Sequence, residues 1–243
     1  MANLKILNQI KKIDALIIID LVLVMLALCL SHYTDLDVKI QNHLFDFETK
    51  KWLVDRDEPV KKFIFYRFPK ILFGGVIIAC LSGAILGFRR KDFCRHFFIK
   101  NRHKLLLIFF GLAFIPLIVG NIKKFTNIYC PTQLEIYGEK YPYVRIFDHY
   151  PADFQQPKKA KCFPAGHSVT GFSLFILFFA LSRKRLKIYG LLGGFVLGWI
   201  LGFYQMAKGA HFFGDTLVSM LLCFLVAAMI ARFYFKKISY DQQ

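Results

Sequence analysis

The chain has 243 residues, 56% of them hydrophobic and 28 of them Phe, a composition that excludes an ordinary soluble domain. Its formal net charge of +17 would suit nucleic acid, but the lysines and arginines lie between apolar runs. Basic residues in that position meet anionic lipid head groups, so no nucleic-acid partner is expected and the membrane is.

The first apolar run begins near Ala15 and continues to Tyr33. It is long for a signal-peptide core, and no small-x-small cleavage site follows it, so an uncleaved first span is expected. Five further runs complete a set near 14–33, 71–88, 105–122, 167–182, 188–204 and 215–235. Each approaches the roughly 20 residues that carry a helix across about 30 Å of hydrocarbon. The prediction is therefore one all-α domain over 1–243, an integral membrane bundle of six transmembrane helices. Asp20, within the first span, reads as a helix-paired or snorkelling carboxylate. The loop at 34–70 interleaves Phe45, Phe47, Trp52, Phe63, Phe65, Tyr66 and Phe68 with charges. That mixture fits an interfacial helix or an ordinary structured loop equally well. The fifth run, around Gly190–Gly202, is rich in glycine and should pack centrally.

Basic-residue density gives the orientation. Lys5, Lys11 and Lys12, the stretch from Arg89 to Lys104, the stretch from Arg183 to Lys187, and Lys236 with Lys237 share one side. The expected topology has both termini cytoplasmic and the intervening loops outside.

Three short stretches then stand at the outside ends of spans. Lys123 to Pro131 follows the third span, Pro164-Ala165-Gly166-His167 opens the fourth, and Gln205 to Asp215 leads into the sixth. His211 and Asp215 are four apart, which on a helix makes them neighbours. An Asp that accepts from one imidazole nitrogen fixes the tautomer and frees the other nitrogen as nucleophile or base. If the helix extends back, Gln205, Lys208, His211 and Asp215 form one stripe. Gly166 allows an anion close to the backbone at a helix N-terminus, and His167 there can protonate a leaving alkoxide. Lys123 and Lys124 add point charges for a phosphate. A metal held by His167, His211 and Asp215 is the alternative use of the same residues.

These three stretches, in this order, resemble the signature motifs of the type-2 phosphatidic-acid phosphatase superfamily, whose pattern is K-x6-R-P, P-S-G-H and S-R-x5-H-x3-D. The resemblance covers about 100–235. It implies metal-independent, cofactor-free phosphoryl transfer through a phosphohistidine, with His211 attacking, Asp215 orienting it and His167 donating the proton. Lys123 and Gly166 would hold the phosphate. The two motif arginines are Cys130 and Gln205 here, and the motif serines are Ala165 and Tyr204. A bacterial membrane-associated subgroup is similar in carrying Cys-Pro, Pro-Ala-Gly-His and Gly-Ala-His. Lys208, with Lys124 or Arg145, is the expected replacement for the arginines.

The resemblance implies an enzyme of the bacterial inner membrane, with its site on the periplasmic face. Its substrate would be a membrane lipid phosphate: lipid A, undecaprenyl (di)phosphate or phosphatidylglycerol phosphate. The long aromatic first loop favours lipid A or a similarly bulky glycolipid. Lipid-to-lipid phosphotransfer at the same site, or a transporter or binding relative without catalysis, remain alternatives. Cys130 and Cys162 share one outside loop and abut two of the motifs, so an oxidising compartment would favour a disulfide between them.

Overall fold

The computed structural model describes residues 2–88 and 96–240. The basic residues from Arg89 to Arg95, together with Cys94, lie outside the described residues. The long helices are α1 (Ala2–Tyr33), α3 (Pro59–Phe88), α4 (His96–Thr126), α6 (Lys184–Ala207) and α7 (Phe213–Tyr240). Between α1 and α3 stand the short α2 (Leu36–Asn42) and a two-stranded hairpin, β1 (Phe45–Asp46) with β2 (Lys51–Trp52). The loop at 34–70 is thus mainly a structured loop, and its last third is the start of α3.

Among the described residues, five helices are long and apolar enough to cross a membrane, not the six expected. The fourth expected span is α5 (Val169–Ala180), whose middle, Ser173–Phe175, tightens into a 3-10 turn. At 1.5 Å per residue its 12 residues reach about 18 Å, short of the hydrocarbon thickness. A short segment suffices because α5 is surrounded by protein. Val169, Phe172, Phe175, Ile176 and Phe179 are all buried, packed with Leu112, Ile115 and Val119 of α4 and Ala227 and Ala231 of α7. A lipid-facing helix must span the bilayer to satisfy its backbone; an enclosed one need not.

The glycines of α6 build this enclosure. Gly190, Gly194, Gly198 and Gly202 recur every four residues, on one helical face. A Cβ on them would meet, in turn, Leu177, Leu174 and Phe175, Phe172, and then Thr216 with Ser168. The ladder runs up α6 as it runs down α5, so the two are antiparallel and their backbones touch. Small residues let membrane helices gain packing contacts where no hydrophobic drive exists.

The six segments alternate in direction. The C-terminal end of α1 reaches the N-terminus of α7, where a Cβ on Gly214 would strike Ser31 Oγ and Asp37. At the opposite end of the same pair Asp14 is ion-paired with Arg232. Over the first of these ends sits an aromatic cap from the long loops, with Phe45, Tyr129, Leu134, Tyr137 and Phe212 buried together. Tyr129 stacks on Tyr141 at 4.1 Å between ring centroids.

Candidate active site

The site forms where the ends of α3, α4, α5, α6 and α7 meet beneath the cap. The expected helical stripe from Gln205 to Asp215 is not formed. α6 stops at Ala207 because Gly209 adopts φ +70°, a left-handed conformation suited to glycine. Its φ and its position both exclude a side chain, since a Cβ there would lie 2.4 Å from the Trp52 ring. The amide of Ala210 donates to Gln205 O at 2.8 Å, closing the turn.

His211 precedes α7, and Asp215 lies in that helix's first turn. The pair still forms, across the junction: His211 Nδ1 stands 3.2 Å from Asp215 Oδ2. The same oxygen accepts from Phe212 N at 3.1 Å, as a helix-capping carboxylate does. Both side chains are buried. A carboxylate on Nδ1 places the proton there and leaves Nε2 with its lone pair.

His167 faces this pair, with 6.4 Å between the two imidazole centroids. The turn that carries it is locked from below. Ala165 is fully buried, its amide donates to Asp215 O at 3.2 Å, and its carbonyl accepts from Ser219 Oγ at 3.0 Å. The Ala165 amide is therefore spent on α7, and Gly166 is the open position of the motif. A Cβ on Gly166 would lie 3.2 Å from Lys123 Nζ, so that ammonium reaches across the turn. Lys124 is exposed and about 100° around α4 from Lys123. Arg145 is engaged at the rim, donating to Asp35 Oδ1 at 2.6 Å and to His32 O at 3.1 Å.

Lys208 is mostly buried, with its Nζ 5.0 Å from the Tyr204 ring and 6.0 Å from the Tyr66 ring. Burial, with Arg56 and Lys62 nearby, pushes its pKa down, while Asp57 opposes the shift. His167 is driven down to about 3, first by burial and then by His211, Lys70, Lys208 and Lys123. The three lysines make a cationic pocket around one imidazole. Gln205 is fully buried at the motif-arginine position, and neither its Oε1 nor its Nε2 has a partner among the described residues.

Three members are not among the site residues that the sequence indicates. Tyr66 lies over His167 at 4.6 Å, and Lys70 Nζ sits 3.9 Å above Tyr66. Both were hidden because the second span was expected to begin at 71, whereas α3 starts at Pro59 and contains a π turn at Phe63–Arg67. A lysine inside the aromatic run was the available signal. The third is Asp37, buried behind the His211–Asp215 pair, whose Oδ1 accepts from Gly214 N at 2.6 Å. Its pKa is raised to about 6 by burial and by Asp215. A lone acid between Leu36 and Val38 carried no signal.

Cys130 and Cys162 are joined as a disulfide, with Cα atoms 5.2 Å apart. Cys162 Sγ lies 3.4 Å from His211 Nδ1. Sulfur, imidazole and the Asp215 carboxylate thus come within 4.8 Å of one another, as a metal site would require. The bridge removes the thiolate, and the imidazole nitrogen concerned faces Asp215, so this donor set does not fit a cation.

The PAP2 superfamily model matches residues 104–239, which contain all three motifs. No curated protein and no solved structure matches the chain.

Proposed function

The chain belongs to the PAP2 superfamily, and on that premise we propose that it is a phosphatase of membrane lipid phosphates that works through His211. The family's chemistry, on phosphorylated substrates, is phosphate removal or phosphoryl transfer. The observation that carries the reading is the facing pair of imidazoles, one tethered by Asp215, with lysines from three helix ends around them.

A phosphoryl group between the rings meets His211 Nε2 on one side and His167 on the other. The nitrogen lone pair forms the P–N bond as the P–O bond to the lipid breaks, and His167 gives its proton to the leaving alkoxide. Asp215 stabilises the charge that develops on His211. Neutral His167 then takes a proton from water, whose oxygen attacks phosphorus and releases phosphate and free His211. Lys70, Lys123 and Lys208 hold the equatorial oxygens.

Without substrate beside it, His167 is held neutral by burial and the surrounding cations, its pKa lowered to about 3. An anionic phosphate beside the ring opposes both causes, since it offsets the lysines and pairs with the imidazolium in place of the water that burial removes, so proton uptake by His167 is coupled to substrate binding. This differs from a preformed acid and explains how a buried histidine among cations can serve as one.

The basic-residue asymmetry and a disulfide beside the pocket support a site on the non-cytoplasmic face of a bacterial inner membrane. Lipid A, polyprenyl (di)phosphates and phosphatidylglycerol phosphate are the substrate candidates. The test is phosphate release from a panel of these lipids in detergent with chelator present. Release should fall to background in His211→Ala and by about 10²–10⁴-fold in His167→Gln. Release that survives His211→Ala would remove the nucleophile assignment. Label passing to a second lipid would make the enzyme a transferase.

A further inference from the structure

The first turns of α3 and the last turns of α6 leave a cleft of about 510 Å³ between them. Its walls are Val54, Phe65, Trp199, Ile200, Phe203 and Ala207, and Lys61 stands at its edge. Val54 N donates to Ala207 O at 3.0 Å, which joins the loop to the end of α6 at one side of the cleft. Ile200 and Phe203 are about half exposed, so the cleft faces the surroundings of the bundle.

Two features separate this cleft from ordinary lipid-facing surface. It adjoins the histidine site: Tyr204 lines it and its ring also lies 5.0 Å from Lys208 Nζ, and Phe65 of the opposite wall is next in sequence to Tyr66, the ring over His167. Phe65 and Tyr204 stack at 4.8 Å and form the partition between the two spaces. Tyr204, at this boundary, also carries a buried hydroxyl with no hydrogen-bond partner among the described residues. An apolar slot beside a lysine-lined pocket matches an amphiphile with an anionic head. A second apolar cleft, about 370 Å³ between α1, α6 and α7, shares no residue with the histidine site.

We propose that the cleft between α3 and α6 receives a hydrocarbon chain of the phosphorylated lipid whose head group occupies the histidine site. This rests on the phosphatase reading for its head group and adds the route of the chain. The chain lies against Ile200 and Phe203, its linkage next to the head passes the Tyr204 ring, and the phosphate turns in past Lys208.

Two measurements on the full-length protein in mixed micelles test it. The first compares Ile200→Trp with the parent on dioleoyl phosphatidic acid, dihexanoyl phosphatidic acid and p-nitrophenyl phosphate. A blocked cleft should cost at least about tenfold in kcat/KM for the long chain and less than about twofold for the other two. Equal losses on all three, or no loss on the long chain, overturn the proposal. The second uses phosphatidic acid with a diazirine on its acyl chain, in the His211→Ala protein. Label should fall on 59–67 and 199–207, be competed by phosphatidic acid but not by phosphatidylcholine, and diminish in Ile200→Trp. Label elsewhere, or competed equally by both lipids, overturns it. Because the second measurement needs no turnover, the cleft can fail while the phosphatase reading stands, and the reverse.

Discussion

At His167 burial and the surrounding cations favour the neutral imidazole, whereas at Asp37 burial and Asp215 favour the neutral acid. The consequences for stability have opposite sign. An imidazole lowered from 6.5 to about 3 binds its proton more readily in the unfolded chain, so stability is lost as pH falls below about 6.5. A carboxyl raised from 3.8 to about 6 binds its proton more readily in the folded chain, so stability is lost as pH rises through that window. Between about pH 4 and 6 the two slopes offset each other. Asp37→Asn keeps an acceptor for Gly214 N and removes one slope. Its thermal midpoint should fall more steeply on acidification than that of the parent, and His167→Gln should show the reverse trend. Midpoints that track the parent from pH 4 to 7 in both variants would contradict these assignments.

The element that most depends on its neighbours is α5. Its length is too small for a membrane helix, and its place is secured by backbone contact with α6 rather than by lipid. A Cβ on Gly171 would lie 2.3 Å from Gly198 N, so Gly171→Ala must force the two backbones apart. Overpacking of this kind costs roughly 1–3 kcal/mol, and His167, four residues earlier, should move with it. Both the thermal midpoint in detergent and phosphatase activity are expected to drop. Gly193 is the internal control: it is exposed on the partner helix α6, and nothing lies within 4 Å of its Cβ position. Gly193→Ala should leave activity intact and add up to about 1 kcal/mol through helix propensity. The glycine richness of α6 was legible in the chain. That Gly190, Gly194 and Gly198 fall against α5, and Gly202 against Thr216 of α7, depends on where those helices lie.

For the whole molecule, the loops decide whether the helix ends can act together. The segment from Asn127 to Ser168 has little regular structure, yet it carries Cys130, Cys162 and the Pro-Ala-Gly-His turn. Asn127 ends α4 at φ +55°, and its side-chain oxygen accepts from Gln156 Nε2 and Ala160 N, both at 2.9 Å. The bridge from Cys130 to Cys162 closes the same loop beside His211, across a sequence separation of 32. Closure of a loop that size is worth about 3–4 kcal/mol in the chain-entropy model. Paired Cys130→Ser and Cys162→Ser changes should therefore lower the thermal midpoint and the activity together. In the parent, alkylation without reductant should leave both of these cysteines unmodified, and their modification there would remove the bridge from the argument.

Residue order alone determined the membrane class, five of the six apolar segments, and the pairing of His211 with Asp215. Apolar run length and i, i+4 spacing are local properties, and neither needs a partner. It also singled out Lys123, Gly166, His167 and Lys208, because chemistry-bearing side chains at the ends of apolar runs are rare. Tertiary structure alone decided that Tyr66, Lys70 and Asp37 join them, and that Lys124 and Arg145 face elsewhere. These are contacts between segments far apart in the chain. Their formation depends on how α3 is wound, how α2 folds back onto α7, and which face of α4 meets the centre, none of which a local pattern encodes.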